Sequence, residues 1–84
     1  MLSTSVERWG ALWRSNNRLD GKIEHIIFDA SFPVLFLTRK QARAWIEKNY
    51  GYIGRRSDLH NEPHGWKKPI AVRVTVSLRC RGAR

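Results

Sequence analysis

The stretch Val34–Gly54, VLFLTRKQARAWIEKNYGYIG, joins a short apolar run to an amphipathic helix through a local start signal. Thr38 stands just before the helical pattern and Gln41 follows three residues later. A threonine hydroxyl in that place accepts from the amide of the third helical residue, and a glutamine there reaches back to the threonine amide. The helix is therefore predicted to start at Arg39. Ala42, Trp45, Ile46, Tyr50 and Ile53 recur at three- and four-residue spacing and make one apolar stripe, with Arg39, Lys40, Arg43, Glu47 and Lys48 mostly outside it. Gly51 and Gly54 are both candidates for the left-handed residue that ends the helix, so its end is open by about one turn.

Before this stretch, Trp9, Ala11 and Trp13 alternate with Gly10, Leu12 and Arg14, which suits a strand of about six residues. Residues 1–8 carry little pattern and read as a frayed start. NNRLDG, Asn16–Gly21, is dense in turn formers, and Asp20-Gly21 is a favoured hairpin pair. The next strand, KIEHIIFD, has apolar groups on both faces and is expected to be central and covered. Ala30-Ser31-Phe32-Pro33 reads as a turn, because Pro33 cannot donate to a ladder. Val34–Leu37 is then a third short strand running into the helix, completing a meander.

After the helix, Arg55–Pro69 is too rich in turn residues for a long regular element, although Ser57–Asn61 suits one helical turn. Ile70, Val72, Val74, Val76 and Leu78 then alternate without a miss against Ala71, Arg73, Thr75, Ser77 and Arg79. This is the clearest strand, expected to turn its apolar side to the core and its partly basic side outward. The order β-β-β-α-loop-β makes an α+β fold, a three- to four-stranded antiparallel sheet packed by one main helix. The last strand fits either beside the first or at an edge.

With 84 residues the chain is read as a single domain, 1–84, with an ordered core over about 9–79 and a basic C-terminal tail, 80–84. Four Trp, three Phe and two Tyr supply much buried area for so short a chain. The lone Cys80 reads as a free thiol in a reducing compartment. No apolar run has the length of a membrane span and MLSTSVERWG lacks the layout of a signal peptide, so no membrane contact and a cytoplasmic place are expected. Net charge is +9, and its placement is uneven. Arg8, Arg14, Arg18 and Lys22 are balanced by Glu7, Asp20, Glu24 and Asp29 in residues 1–38. All of the excess lies in residues 39–84, which points to an anionic partner.

His60, Glu62 and His64 form HxExH, with Asp58 and Cys80 as further donors. Pro63 and Gly65 break regular structure there, and ligands on one loop are poorly preorganised, so ordinary loop histidines are expected and no metal. His60-Asn61-Glu62 matches half of the zinc deaminase signature, but the Pro-Cys-x-x-Cys half is absent. YGYIG lacks the order and the paired strands of GIY-YIG nucleases. No Gly-rich phosphate loop or nucleophile constellation is present, so neither catalysis nor a cofactor is expected. The basic surface is the stronger signal. Arg39, Lys40, Arg43 and Lys48 on the helix, Arg55 and Arg56 after it, Lys67 and Lys68 flanking Trp66, and Arg73 and Arg79 on the last strand are the candidates for nucleic-acid contact. Trp66 either stacks on a base or folds back on the helix, the second being expected. Arg14 and Arg18 extend the surface from the first hairpin. Trp45 and Tyr50 are assigned to the core, Trp9 and Trp13 to the core or an exposed apolar patch, and His25 to a hydrogen-bonded place beside the core.

NRLDGKIEH (Asn17–His25), LFLTRKQARAW (Leu35–Trp45), YGYI (Tyr50–Ile53), EPHGWKKP (Glu62–Pro69) and VRVTVSL (Val72–Leu78) together resemble a family of small uncharacterised proteins of bacteriophages and prophages. That resemblance implies a phage-derived origin and no particular activity. In pattern, three strands feeding a helix with Phe36, Thr38 and Ala42 at its start are similar to the AP2-like arm-type DNA-binding domains of phage integrases, whose sheet enters the major groove. Here the first three strands are not net basic and a fourth is added. The expected function is a small non-enzymatic nucleic-acid-binding protein. The alternative is a phage protein-binding module, an inhibitor of a host defence protein in the anti-CRISPR manner, or a homodimer joined at a sheet edge.

Overall fold

A computed structural model of the chain describes residues 2–80. Its elements are β1 (Leu2–Asn17), β2 (Gly21–Ile26), β3 (Phe28–Asp29), β4 (Phe32–Pro33), β5 (Leu35–Phe36), α1 (Arg39–Arg55), a 3-10 turn (Ser57–Leu59) and β6 (Trp66–Cys80). One main helix lies against an antiparallel sheet, the α+β architecture expected from the sequence.

The central strand is β1, not β2. It pairs with β6 along nearly its whole length on one side, while on the other it takes β2 opposite residues 12–17 and then β5 opposite Trp9 and Gly10. The expected meander is thus replaced by two strands placed end to end on one edge of β1. Between them the chain leaves the sheet as a small β3–β4 hairpin and is tied back by Ile27 N–H to the Ala11 carbonyl (2.9 Å) and Val34 N–H to the Ile27 carbonyl (3.0 Å). The residues expected to fray continue β1 outward instead: residues 2–8 pair with 74–80. Their partners are 66 to 78 residues away, so nothing local announces them. This two-stranded ribbon contributes to a long molecule of 53 × 29 × 19 Å. Met1 and residues 81–84, which make up most of the expected basic tail, lie outside the described residues.

Local signals placed the turns and the helix start. The β1–β2 hairpin closes through Arg18-Leu19-Asp20 onto Gly21 at φ +72°, with the Asp20 amide donating to Asn17 Oδ1 at 2.7 Å. Both capping-box bonds form at α1: Gln41 N–H to Thr38 Oγ1 (3.1 Å) and Thr38 N–H to Gln41 Oε1 (3.3 Å). Neither candidate glycine ends the helix, which runs through both and stops at Arg55 with Arg56 extended. Ala42, Ile46 and Ile53 are buried, and Trp45 and Tyr50 half-buried, as the stripe requires.

The helix lies mainly over β6, and it takes the face that the alternation did not favour. Ala11 and Ala71 are direct partners across β1 and β6, and these two small side chains let Ile46 and Ile27 close onto the sheet. Trp9 and Arg73, the next pair on that face, lie beside Arg39 of the helix. Ile70, Val72, Val74, Val76 and Leu78 therefore point to the opposite side, where Ile70 is 41% and Leu78 55% exposed. Strict alternation defines two faces but does not say which one a helix will cover.

Candidate nucleic-acid interface

One continuous chain of aromatic contacts, joined at Tyr50, links α1 to the sheet. Trp13 meets Tyr50 at 6.1 Å and Trp66 at 5.6 Å between ring centroids, and Trp45 meets Tyr50 at 5.7 Å and Phe36 at 5.9 Å. Trp66 is thus edge-on to Trp13, with His64 tilted against it at 4.8 Å, and is half-buried rather than a free stacking platform. Trp66, Lys67 and Lys68 are not in a loop. They begin β6, opposite Ser15 and Arg14.

The segment before β6 is held against the first hairpin at several points. Asn16 N–H donates to the Gly65 carbonyl (2.9 Å), Asn17 Nδ2 to the His64 carbonyl (3.1 Å), and Arg18 N–H to both oxygens of Glu62 (3.1 Å each). His60 Nε2 donates to the Ile53 carbonyl at 2.6 Å. The HxExH donors therefore serve separate partners, and no group of three metal-ligating side chains converges among the described residues.

A bulge in β6 brings several cations together. Leu12 pairs with Ile70 but Arg14 with Lys67, so Lys68 and Pro69 share the place opposite Trp13. Pro69 has no N–H to lose at such a point. The displaced Lys68 carbonyl accepts from Arg14 Nη2 at 2.8 Å and draws the guanidinium toward the helix side. Arg14 and Lys68 there join Arg39, Arg43 and Ile46 around a cleft of about 430 Å³ floored by Ala71. A second cleft of about 440 Å³ shares Arg14 and Lys68 with the first and is lined also by Trp66, Lys67, His60 and Gly54. No acidic side chain lines either cleft.

The remaining candidates divide by their partners. Arg55 pairs with Glu47 (3.2 Å), Arg56 with Asp58 (2.7 Å), Arg73 with Glu7 (3.1 Å), and Lys68 with Glu47. The Lys68 ammonium, aided by Arg55, holds Glu47 below the usual carboxylate range; the Thr75 hydroxyl and then Arg73 do the same for Glu7, as Arg56 does for Asp58. These exposed pairs contribute little to stability but compensate the charge locally. Among the described residues Arg39, Lys40, Arg43, Lys48, Lys67 and Arg79 have no carboxylate partner. Arg39 and Arg43 share the flank of α1 that faces β6, whereas helical spacing puts Lys40 and Lys48 on its outer side.

No protein-family model, curated protein or solved structure matches this chain. No helix among the described residues is long and apolar enough to cross a membrane. Arg14 is the residue that sequence reasoning underrated, since it appeared there only as an extension of the surface. The Lys68-Pro69 pair inside an otherwise strand-like run was the signal that could have found it.

Proposed function

We propose that this is a small non-enzymatic nucleic-acid-binding protein of phage kinship, which takes a phosphate backbone along the seam between α1 and β6. One observation carries the reading: two adjoining clefts, walled in common by Arg14 and Lys68, run from Arg39 and Arg43 to Lys67 with no acidic side chain among their linings. A row of cations on a rigid strand and helix suits a polyanion, because each contact releases a condensed counterion. The test is binding of a random duplex and a single strand at two salt concentrations. Log K is expected to fall with log salt by about 0.9 for each duplex phosphate contacted, and Arg39→Gln with Arg43→Gln to flatten the slope by about 2 contacts. Arg55→Ala with Arg56→Ala is expected to flatten it less, since both already face carboxylates. An affinity indifferent to salt overturns the reading.

A second reading, a module that binds a host protein or a second copy of the chain, is favoured by the open apolar face. Val74 and Ile26 approach each other over Gly10, and Ile70 and Leu78 stay exposed on the same side. Retention of one host protein after nuclease treatment, or twice the chain mass in solution, supports it; loss of all association after nuclease treatment opposes it.

A further inference from the structure

The cleft between α1 and β6 has a feature that a merely solvated basic face would lack. Arg14 Nε is buried and has no hydrogen-bond partner, although Nη2 of the same guanidinium is fixed on the Lys68 carbonyl at 2.8 Å. A guanidinium fixed in this way lines the cleft without being free to swing into solvent, so little ordering is needed before an anion meets it. Arg39 and Arg43 reach the same cleft from successive turns of the helix, and neither is paired with a carboxylate. Planar guanidiniums from two elements match the oxygens of one tetrahedral anion better than point charges do. The cleft, at about 430 Å³, also exceeds what a phosphate alone would fill, and Ile46 and Pro69 supply apolar wall beside the cations.

We propose that this cleft is a phosphate-binding site for one nucleotide unit, with Arg14, Arg39 and Arg43 on the phosphate and the Ile46–Pro69 wall against the sugar. For the natural source, a phosphodiester within a strand, the proposal rests on the nucleic-acid reading above. The shared chemistry is the phosphate group, and a free phosphate compound is the other source. Intrinsic tryptophan fluorescence and calorimetry follow titration of the full chain with inorganic pyrophosphate, with a short 5′-phosphorylated single strand, and with the same strand unphosphorylated. Saturable pyrophosphate binding is expected, weakened about tenfold or more by Arg43→Gln or Arg14→Gln and unchanged by Lys40→Gln with Lys48→Gln. Arg43 is exposed, so its variant keeps the test valid if removing Arg14 perturbs the fold. Strand binding that pyrophosphate displaces and Arg43→Gln weakens assigns the phosphodiester as the source; pyrophosphate binding without strand binding keeps the site and overturns the nucleic-acid reading. Salt-sensitive strand binding that neither Arg43→Gln nor pyrophosphate alters overturns the site and leaves that reading standing. Absence of pyrophosphate binding up to about 10 mM overturns the site as well.

Discussion

Replacing Gly65 with alanine probes the joint between the β6 lead-in and the first hairpin. Gly65 sits at φ +60°, and a Cβ built there would lie 1.9 Å from the Asn16 carbonyl oxygen and 2.7 Å from its carbon. Side chain and backbone cannot share that space, so the two segments must separate by about 1 Å or more. Three contributions follow. The left-handed conformation costs an alanine about 1–2 kcal/mol. Separation weakens the bond from Asn16 N–H to the Gly65 carbonyl, now 2.9 Å, and strains the neighbouring bond from Asn17 to the His64 carbonyl. Each bond is worth about 0.5–1.5 kcal/mol net, so the total loss is about 2–5 kcal/mol. For a domain of this size that corresponds to a fall in Tm of roughly 8–40 °C. Urea unfolding followed by tryptophan fluorescence measures it directly, with Trp13 and Trp66 packed near the joint. A loss under about 0.5 kcal/mol would refute the close approach on which the argument depends.

The same substitution at Gly54 is expected to act in the opposite direction. Its Cβ would meet only Lys68 Cδ at 3.5 Å, an ordinary contact, so Gly54→Ala should stabilise the helix by up to about 1 kcal/mol in the same urea assay. Thr38→Ala removes the acceptor for Gln41 N–H and should lower stability by about 1 kcal/mol, with a matching loss of helical circular dichroism on heating. Glu47, Glu7 and Asp58 are all held below their ordinary values, so the unfolded chain takes up protons first as pH falls. Their stabilisation is complete above the unfolded-state values and is lost as pH falls below about 4.5 through the lower folded-state values. Glu47→Gln should therefore show a smaller drop in urea midpoint between neutral pH and about pH 3.5 than the parent chain, and an equal drop would count against the Lys68–Glu47–Arg55 cluster.

What the sequence determined by itself was whatever depends on neighbours a few residues apart. Thr38 and Gln41 close a bond ring inside one turn of chain, and Asp20-Gly21 sits in a turn that needs only a left-handed residue at its end, so both were legible. The apolar stripe of α1 and the alternation of β6 follow from helical and strand periods in the same way. The charge excess after residue 38 was likewise legible, since counting needs no geometry.

Tertiary structure decided what depends on which segments meet. The polar run from Ser3 to Arg8 became strand only because β6 was there to pair with it, and β2 lost the central place to β1 for the same reason. The helix chose the Ala11–Ala71 face because two small partners allow close approach, a property of cross-strand register that neither strand reveals alone. That choice turned the apolar alternation of β6 outward and set the cations of its edge beside Arg39 and Arg43. Arg14 entered their cleft because a one-residue bulge freed the Lys68 carbonyl to hold it. Local bonds and periods are written in consecutive residues, whereas register, face and cleft come into being only when distant strands pair, and so only the folded molecule shows them.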